Sequence, residues 1–178
     1  MNGSWHRTCI NHNNDERQNE KTKGIKMKQG KVVGFIHSGI TVKKLEDSLK
    51  FYVELLGFEL LSTQVTKSDY IYDIVQIPGL QEIKIAYVQI PGGQKIEILE
   101  YVGVDTYSGS ARSCDYGTGH ICLLVENLEE MFEQFKLKGV KFKSENVVQI
   151  TAGANKGSKA VYMFDPDGYI LELKENIG

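Results

Sequence analysis

The chain is poor in cysteine. Cys9, Cys114 and Cys122 are its only three among 178 residues, and an odd, sparse set argues against a disulfide framework and for a reducing compartment. It has little net charge: 21 basic and 23 acidic residues leave −2 at pH 7, so no basic surface for nucleic acid is announced. No apolar run approaches the roughly 20 residues that a membrane span needs. The first thirty residues are polar and hold no apolar stretch of the secretory-signal kind. They read as a disordered tail, 1–30, and Met27 could serve as the true start because regular patterning begins only at Lys31. His6, Cys9 and His12 sit three apart in that tail, without a fourth ligand or a fold around them, so they are not read as a metal site. A cytoplasmic protein is expected.

The remainder is ordinary for a globular protein, with 41% hydrophobic and 25% charged residues. What stands out is repetition, which bears on the whole fold. Residues 91–100 read PGGQKIEILE and residues 166–175 read PDGYILELKE, one template at a constant offset of 75. A second match runs from His37 through Val42, Leu45 and Glu46 and recurs from His120 through Val125, Leu128 and Glu129, at an offset of 83. The expected organisation is therefore one domain over 31–176, built of two modules, 31–103 and 116–176.

Each module opens with a short apolar stretch suited to a buried strand, Val32–Val42 and Gly119–Val125. A helix should follow. Leu45, Leu49, Tyr52 and Leu56 form one apolar stripe, and Leu128, Met131, Phe132 and Phe135 form another. Asn127 with Glu130 resembles a capping box, and Gly57 and Gly139 fit the position just past a helix end. Strand-like pieces come next: Phe58–Gln64, Tyr70–Ile77, Ile83–Ile90 and Lys95–Val102, then Val140–Phe142, Val147–Ile150, Ala160–Phe164 and Tyr169–Lys174. Turn residues punctuate the last hairpin of each module. The expected class is α+β, with β-α-β-β-β order twice. Segments 104–118 and 151–159 read as loops.

Each module carries a His in its first strand and a Glu in its last: His37 with Glu97, and His120 with Glu172. A lone polar residue in a strand usually faces solvent or is a hydrogen-bonded core residue. Four matched across a repeat suggest more. Two imidazoles and two carboxylates brought together satisfy a first-row divalent metal, and burying such carboxylates without a cation is costly. Glu100 and Glu175 lie three residues further on, on the opposite face, and read as surface or rim residues.

These motifs resemble the vicinal oxygen chelate superfamily, which includes glyoxalase I, methylmalonyl-CoA epimerase, bleomycin- and fosfomycin-resistance proteins and extradiol dioxygenases. The resemblance is carried by Phe35-Ile-His37-Ser-Gly-Ile-Thr-Val42, Phe51-Tyr52-Val-Glu-Leu-Leu-Gly57-Phe58, Ile96-Glu97-Ile-Leu-Glu100, Gly119-His120-Ile and Asp165-Pro-Asp-Gly168-Tyr-Ile-Leu-Glu172-Leu. It covers about 31–176 and implies paired βαβββ modules forming a cupped mixed sheet around a metal. The ligands it implies are His37, Glu97, His120 and Glu172.

With two His and two Glu, the resemblance implies Zn, Ni, Co or Mn rather than the Fe(II), two-His, one-carboxylate set of extradiol dioxygenases. A Lewis acid of that kind binds a substrate carbonyl and stabilises the enediolate left by deprotonation of the adjacent carbon. Glu172 or Glu97 would be the base. The implied protein is a glyoxalase-type, metal-dependent lyase or isomerase, similar to lactoylglutathione lyase, acting on a small carbonyl or thioester substrate. An epimerase of the methylmalonyl-CoA type and an Fe(II) ring-cleaving dioxygenase are the alternatives. Epimerases usually present a second upstream base. Asp73 is the only carboxylate in that slot here, and it reads as a surface strand residue. Arg112, Lys156 and Lys159 are candidate anion-binding residues, and Tyr72, Tyr87, Tyr101 and Tyr107 are assigned no role. The resemblance implies a homodimer, because such modules often pair across chains to complete the cup. The two modules of one chain could also close it.

Overall fold

The structure, a computed structural model of the chain, describes residues 29–108 and 112–177. The tail expectation, including His6, Cys9, His12 and Met27, lies outside the described residues, apart from 29 and 30. The chain divides after Phe35 into two units, and residues 29–35 form no regular element. All strands and helices among the described residues belong to the second unit.

Module one runs β1 (Ser38–Thr41), α1 (Leu45–Leu49), a π-helical segment (Lys50–Leu55), β2 (Glu59–Thr66), α2 (Asp69–Val75), β3 (Glu82–Gln89) and β4 (Lys95–Val102). Module two runs β5 (His120–Leu124), α3 (Leu128–Leu137), β6 (Val148–Gln149), β7 (Lys159–Phe164) and β8 (Ile170–Glu175). The strands form two four-stranded mixed sheets of matching order, β1-β4-β3-β2 and β5-β8-β7-β6. In each, the first strand pairs parallel with the last and the other pairings are antiparallel. The α+β class and the tandem modules are as expected.

Alternation along the strands decides which face is buried. On β4, Ile96 and Ile98 are buried and the intervening Glu97 is not; on β8, Leu171 and Leu173 are buried and Glu172 is not. The buried sets join the apolar faces of the helices in one core that spans both modules, with Phe51, Tyr52, Leu128, Phe132, Val161 and Met163 among its members. A buried bond ties the modules together. The Tyr52 hydroxyl donates to Asp165 Oδ2 at 2.9 Å, while Asp165 Oδ1 accepts the backbone N–H groups of Asp167 and Tyr169. Burial pushes the Asp165 carboxyl above its ordinary value, against the pull of those donors.

Five expectations need correction. First, β1 starts at Ser38, not Val32. Ser38 pairs with Ile96, one residue from the start of β4, so by this register Ile36 has no β4 residue opposite it. Ile36 is consequently 80% exposed. Second, Tyr70–Ile77 is not a strand: Asp69–Val75 is α2, closed by Gln76 in the left-handed region at φ 52°. Ile71, Tyr72 and Val75 pack on Ile83 and Ile85 of β3 and form a second core cluster with Leu99 and Tyr101. Third, Val140–Phe142 supplies only an isolated bridge from Phe142 to Met163.

Fourth, the first helix is not uniform. From Lys50 it widens to π geometry, with the Leu56 N–H donating to Phe51 O at 3.0 Å. The extra residue puts Phe51 and Tyr52 both in the core, so the buried positions are Leu45, Ser48, Phe51 and Tyr52 rather than one regular stripe. Fifth, Asn127 makes no side-chain cap; it is left-handed at φ 56°. The expected helix stops hold. Gly57 and Gly139 have φ of 74° and 84°, and Gly139 and Val140 donate to Lys136 and Phe135 in the paired pattern that closes α3.

Candidate metal centre

The four expected ligands form two pairs, one on the open face of each sheet. His37 Nε2 lies 3.1 Å from Glu97 Oε2, and His120 Nε2 lies 3.1 Å from Glu172 Oε2. His120 heads β5, whereas His37 sits one residue before β1, a small correction to its expected place on that strand. The side chains are 31% and 17% exposed in the first pair and 40% and 19% in the second, so both pairs can be reached from outside. Among the described residues, no three His, Cys, Asp or Glu side chains gather into one group. The two pairs therefore stand apart from each other within this chain.

The sheets explain the separation. Ile96, Ile98, Leu171 and Leu173 turn one face of each sheet into the shared core, so Glu97 and Glu172, on the alternate positions, face away from it. The donor chemistry suits a divalent ion: imidazole nitrogen and carboxylate oxygen from regular positions, as borderline metals prefer. The donor count is short, because one pair supplies two ligands where such sites hold four.

Strand register sets three residues in a row across each face. Gly39, Glu97 and Tyr87 are neighbours on β1, β4 and β3, and Cys122, Glu172 and Tyr162 occupy the same places in module two. The Tyr87 hydroxyl donates to Glu97 Oε1, and its ring meets His37 edge-on with centroids 5.6 Å apart. That hydrogen bond, helped by desolvation and the carboxylate charge, pushes the phenol up to about 12, so it is a protonated donor at neutral pH. Tyr162 instead lies against the His120 ring, at 5.2 Å and a 38° tilt. In that row Cys122 stands next to Glu172 on the neighbouring strand. Shielding of its sulfur, then the charge and hydrogen bond of Glu172, push the thiol up to about 11, which keeps it neutral.

Glu100 and Glu175 lie on the opposite face, as alternation requires, but they are more than rim residues. Glu100 accepts the Leu45 N–H at 2.8 Å and Lys84 Nζ at 2.7 Å. Glu175 accepts the Asn127 N–H at 2.7 Å. Each carboxylate thus caps the helix of its own module at the end where N–H groups lack partners. Desolvation raises Glu100, but Lys84 and the Leu45 N–H outweigh it and hold the carboxyl below its ordinary value.

Other sequence candidates scatter. Arg112 is paired with Asp115 at 2.7 Å, and Lys159 with Glu129 and Glu175. Lys156 is exposed in a hairpin loop closed by the Gly157 N–H to Ile150 O at 2.6 Å. Asp73 is exposed on α2 rather than on a strand. Tyr72 donates to Gln81 O at 2.7 Å, Tyr101 belongs to the second core cluster, and Tyr107 is exposed. Sequence reasoning passed over Tyr87, although a signal was there: Tyr87 and Tyr162 recur at the offset that relates Glu97 to Glu172.

A model of the Glyoxalase/Bleomycin resistance protein/Dioxygenase superfamily matches residues 34–173, and the chain belongs to that superfamily. Its relatives include lactoylglutathione lyases of Escherichia coli O157:H7, 33% identical over 144 residues, and of Salmonella typhimurium, 30% identical over the same length. Each match covers 79% of this chain and 90% of the relative. A 2-epi-5-epi-valiolone epimerase from an Actinomyces species is 26% identical over 140 residues, covering 77% of this chain and 76% of the relative. Among solved structures, a glyoxalase family protein from Bacillus cereus superposes with a TM-score of 0.72 at 19% identity, over 85% of this chain and 99% of that one. This last likeness concerns the fold alone.

Proposed function

We propose that the protein is a divalent-metal-dependent lyase or isomerase of the glyoxalase type, acting on a small carbonyl or thioester substrate as a homodimer. The observation that carries the reading is the pair of His–Glu half-sites, alike in residue type, register and distance, on two open sheet faces. The lactoylglutathione lyase relatives support a lyase. The epimerase relative supports a second reading, isomerisation by the same residues on another substrate.

A second copy supplies the missing half. Strands β1 and β5 are sheet edges, and edges of this kind accept a neighbour. Ile36 and Leu124, beside those edges, are 80% and 72% exposed. In this arrangement His37 and Glu97 of one copy face His120 and Glu172 of the other, and each dimer holds two complete sets.

The ion, when bound, supplies Lewis-acid polarisation of a substrate carbonyl, which acidifies the neighbouring C–H. His37 and His120 would hold it through ring nitrogen, and Glu97 and Glu172 would supply the carboxylate donors. Glu172 or Glu97 then takes the proton from carbon on a carboxylate oxygen and returns it to the substrate. Two free thiols, Cys114 and Cys122, support a reducing, cytoplasmic location.

The test is elemental analysis of protein purified without oxygen, followed by α-proton exchange in D2O with hemithioacetals and 2-methyl-branched acyl thioesters. About one equivalent of Zn, Ni, Co or Mn per chain, with exchange that stops on chelation, is the expected result. Protein that takes up no metal even on reconstitution contradicts the reading, and tightly held iron with ring cleavage of catechols replaces it with the dioxygenase.

A further inference from the structure

The two carboxylates of the proposed centre differ in how firmly they are held, and the difference lies in residues outside the ligand set. Glu97 has both oxygens committed. Oε1 accepts the Tyr87 hydroxyl and Oε2 faces His37 Nε2 at 3.1 Å. The neighbour on the other side is Gly39, where an added Cβ would stand 3.9 Å from Oε2 and 3.7 Å from Leu99 Cδ1. Gly39 thus sets no side chain against Glu97, and the hydrogen bond that holds Oε1 comes from β3. In module two the same row has a thiol where Gly39 stands, and Tyr162 turns to the His120 ring instead of the carboxylate. A phenol is a stronger hydrogen-bond donor than a thiol.

We propose that Tyr87 is a positioning residue of the metal centre, holding Glu97 by Oε1 so that it meets the ion through Oε2 alone. This rests on the metal-centre reading above. A hydrogen bond to the oxygen that does not coordinate fixes the carboxylate's rotation and confines it to one-oxygen ligation. Tyr162, at the repeat-equivalent position, has no such task.

The experiment is Co(II) binding to wild type, Tyr87→Phe and Tyr162→Phe, measured by chelator competition and by the visible absorption of the bound ion. Phe keeps the ring against each histidine and removes only the hydroxyl, and thermal melts confirm folding. Tyr87→Phe is expected to weaken Co(II) binding by about tenfold or more and to change the visible band, because Glu97 is then free to bind through both oxygens. Tyr162→Phe is expected to stay within about twofold of wild type with an unaltered band. Equal affinity and equal spectra for wild type and Tyr87→Phe overturn the role of Tyr87 and leave the metal centre standing. Wild type that binds no Co(II) overturns the metal centre and this proposal together. If Tyr87→Phe fails to fold, Tyr87→Met, which also removes the hydroxyl but fills the space with an adaptable apolar side chain, serves as the second variant. Tyr87→Met is expected to bind Co(II) more weakly than Tyr162→Phe, and equality of the two overturns the proposal.

Discussion

The two modules carry the same His–Glu pair at the same register, yet they surround the carboxylate with different neighbours. In module one the grip comes from β3, through the Tyr87 hydroxyl, and β1 offers only Gly39. In module two β5 places Cys122 beside Glu172, while Tyr162 lies on His120. Duplication fixes where the four His and Glu side chains stand, because strand pairing sets their register. The residues around them are free to diverge. The modules differ in a second way: α2 covers part of the open face of module one, packed on Ile83 and Ile85, and module two has no counterpart among the described residues.

The largest effect is expected from removing the pairs themselves. His37→Ala with Glu97→Ala in one variant, and His120→Ala with Glu172→Ala in another, should each reduce turnover by about 10²–10⁴-fold or more, with metal content falling alongside. If either double variant kept wild-type turnover and metal, the pairs would not be equivalent halves of one centre.

A smaller effect is expected where the modules join. Tyr52→Phe leaves Asp165 Oδ2 buried without its donor, which costs about 1–3 kcal/mol. The urea midpoint should fall with little change in slope. An unchanged midpoint would mean that the shared core does not depend on this bond.

The smallest effect concerns the helix-capping carboxylates. Glu100→Gln should cost about 1 kcal/mol at neutral pH. Its carboxyl is held below its ordinary value in the folded state, so the stability it contributes is present above the ordinary carboxylate range. That stability is lost as pH falls through the lower, folded-state value. Wild type should therefore lose stability on acidification more steeply than Glu100→Gln. Parallel pH profiles for the two would contradict the assignment.

Much of this was legible in the sequence because the repeat repeats physical constraints. The PGGQKIEILE and PDGYILELKE stretches became β4 and β8 with their glutamates on matching faces, since a period of two leaves a strand little freedom once Ile96, Ile98, Leu171 and Leu173 are buried. Gly57 and Gly139 marked helix ends because few residues tolerate a positive φ. Other features were hidden where tertiary packing overrides local preference. Tyr70-Ile-Tyr-Asp-Ile-Val is rich in strand-forming residues, and it is helical because Ile71, Tyr72 and Val75 meet the sheet as one face. The π-helical segment is a one-residue insertion, which a regular 3.6 period cannot express. At the site, His37, Glu97, His120 and Glu172 were singled out by repetition and resemblance. That they stand as two separate pairs was not legible, because it depends on which sheet faces the shared core covers.

The central claim is that a working site takes module one from one copy and module two from another. It is tested most directly by mixing the two inactive double variants, His37→Ala/Glu97→Ala and His120→Ala/Glu172→Ala, under conditions that let subunits exchange. In a mixed dimer one site collects all four substitutions and the other collects none. About a quarter of wild-type turnover should therefore return at equal mixing, with metal returning in proportion. If exchange is verified by mass and no activity returns, each site is built within a single chain and the account of two half-sites is wrong.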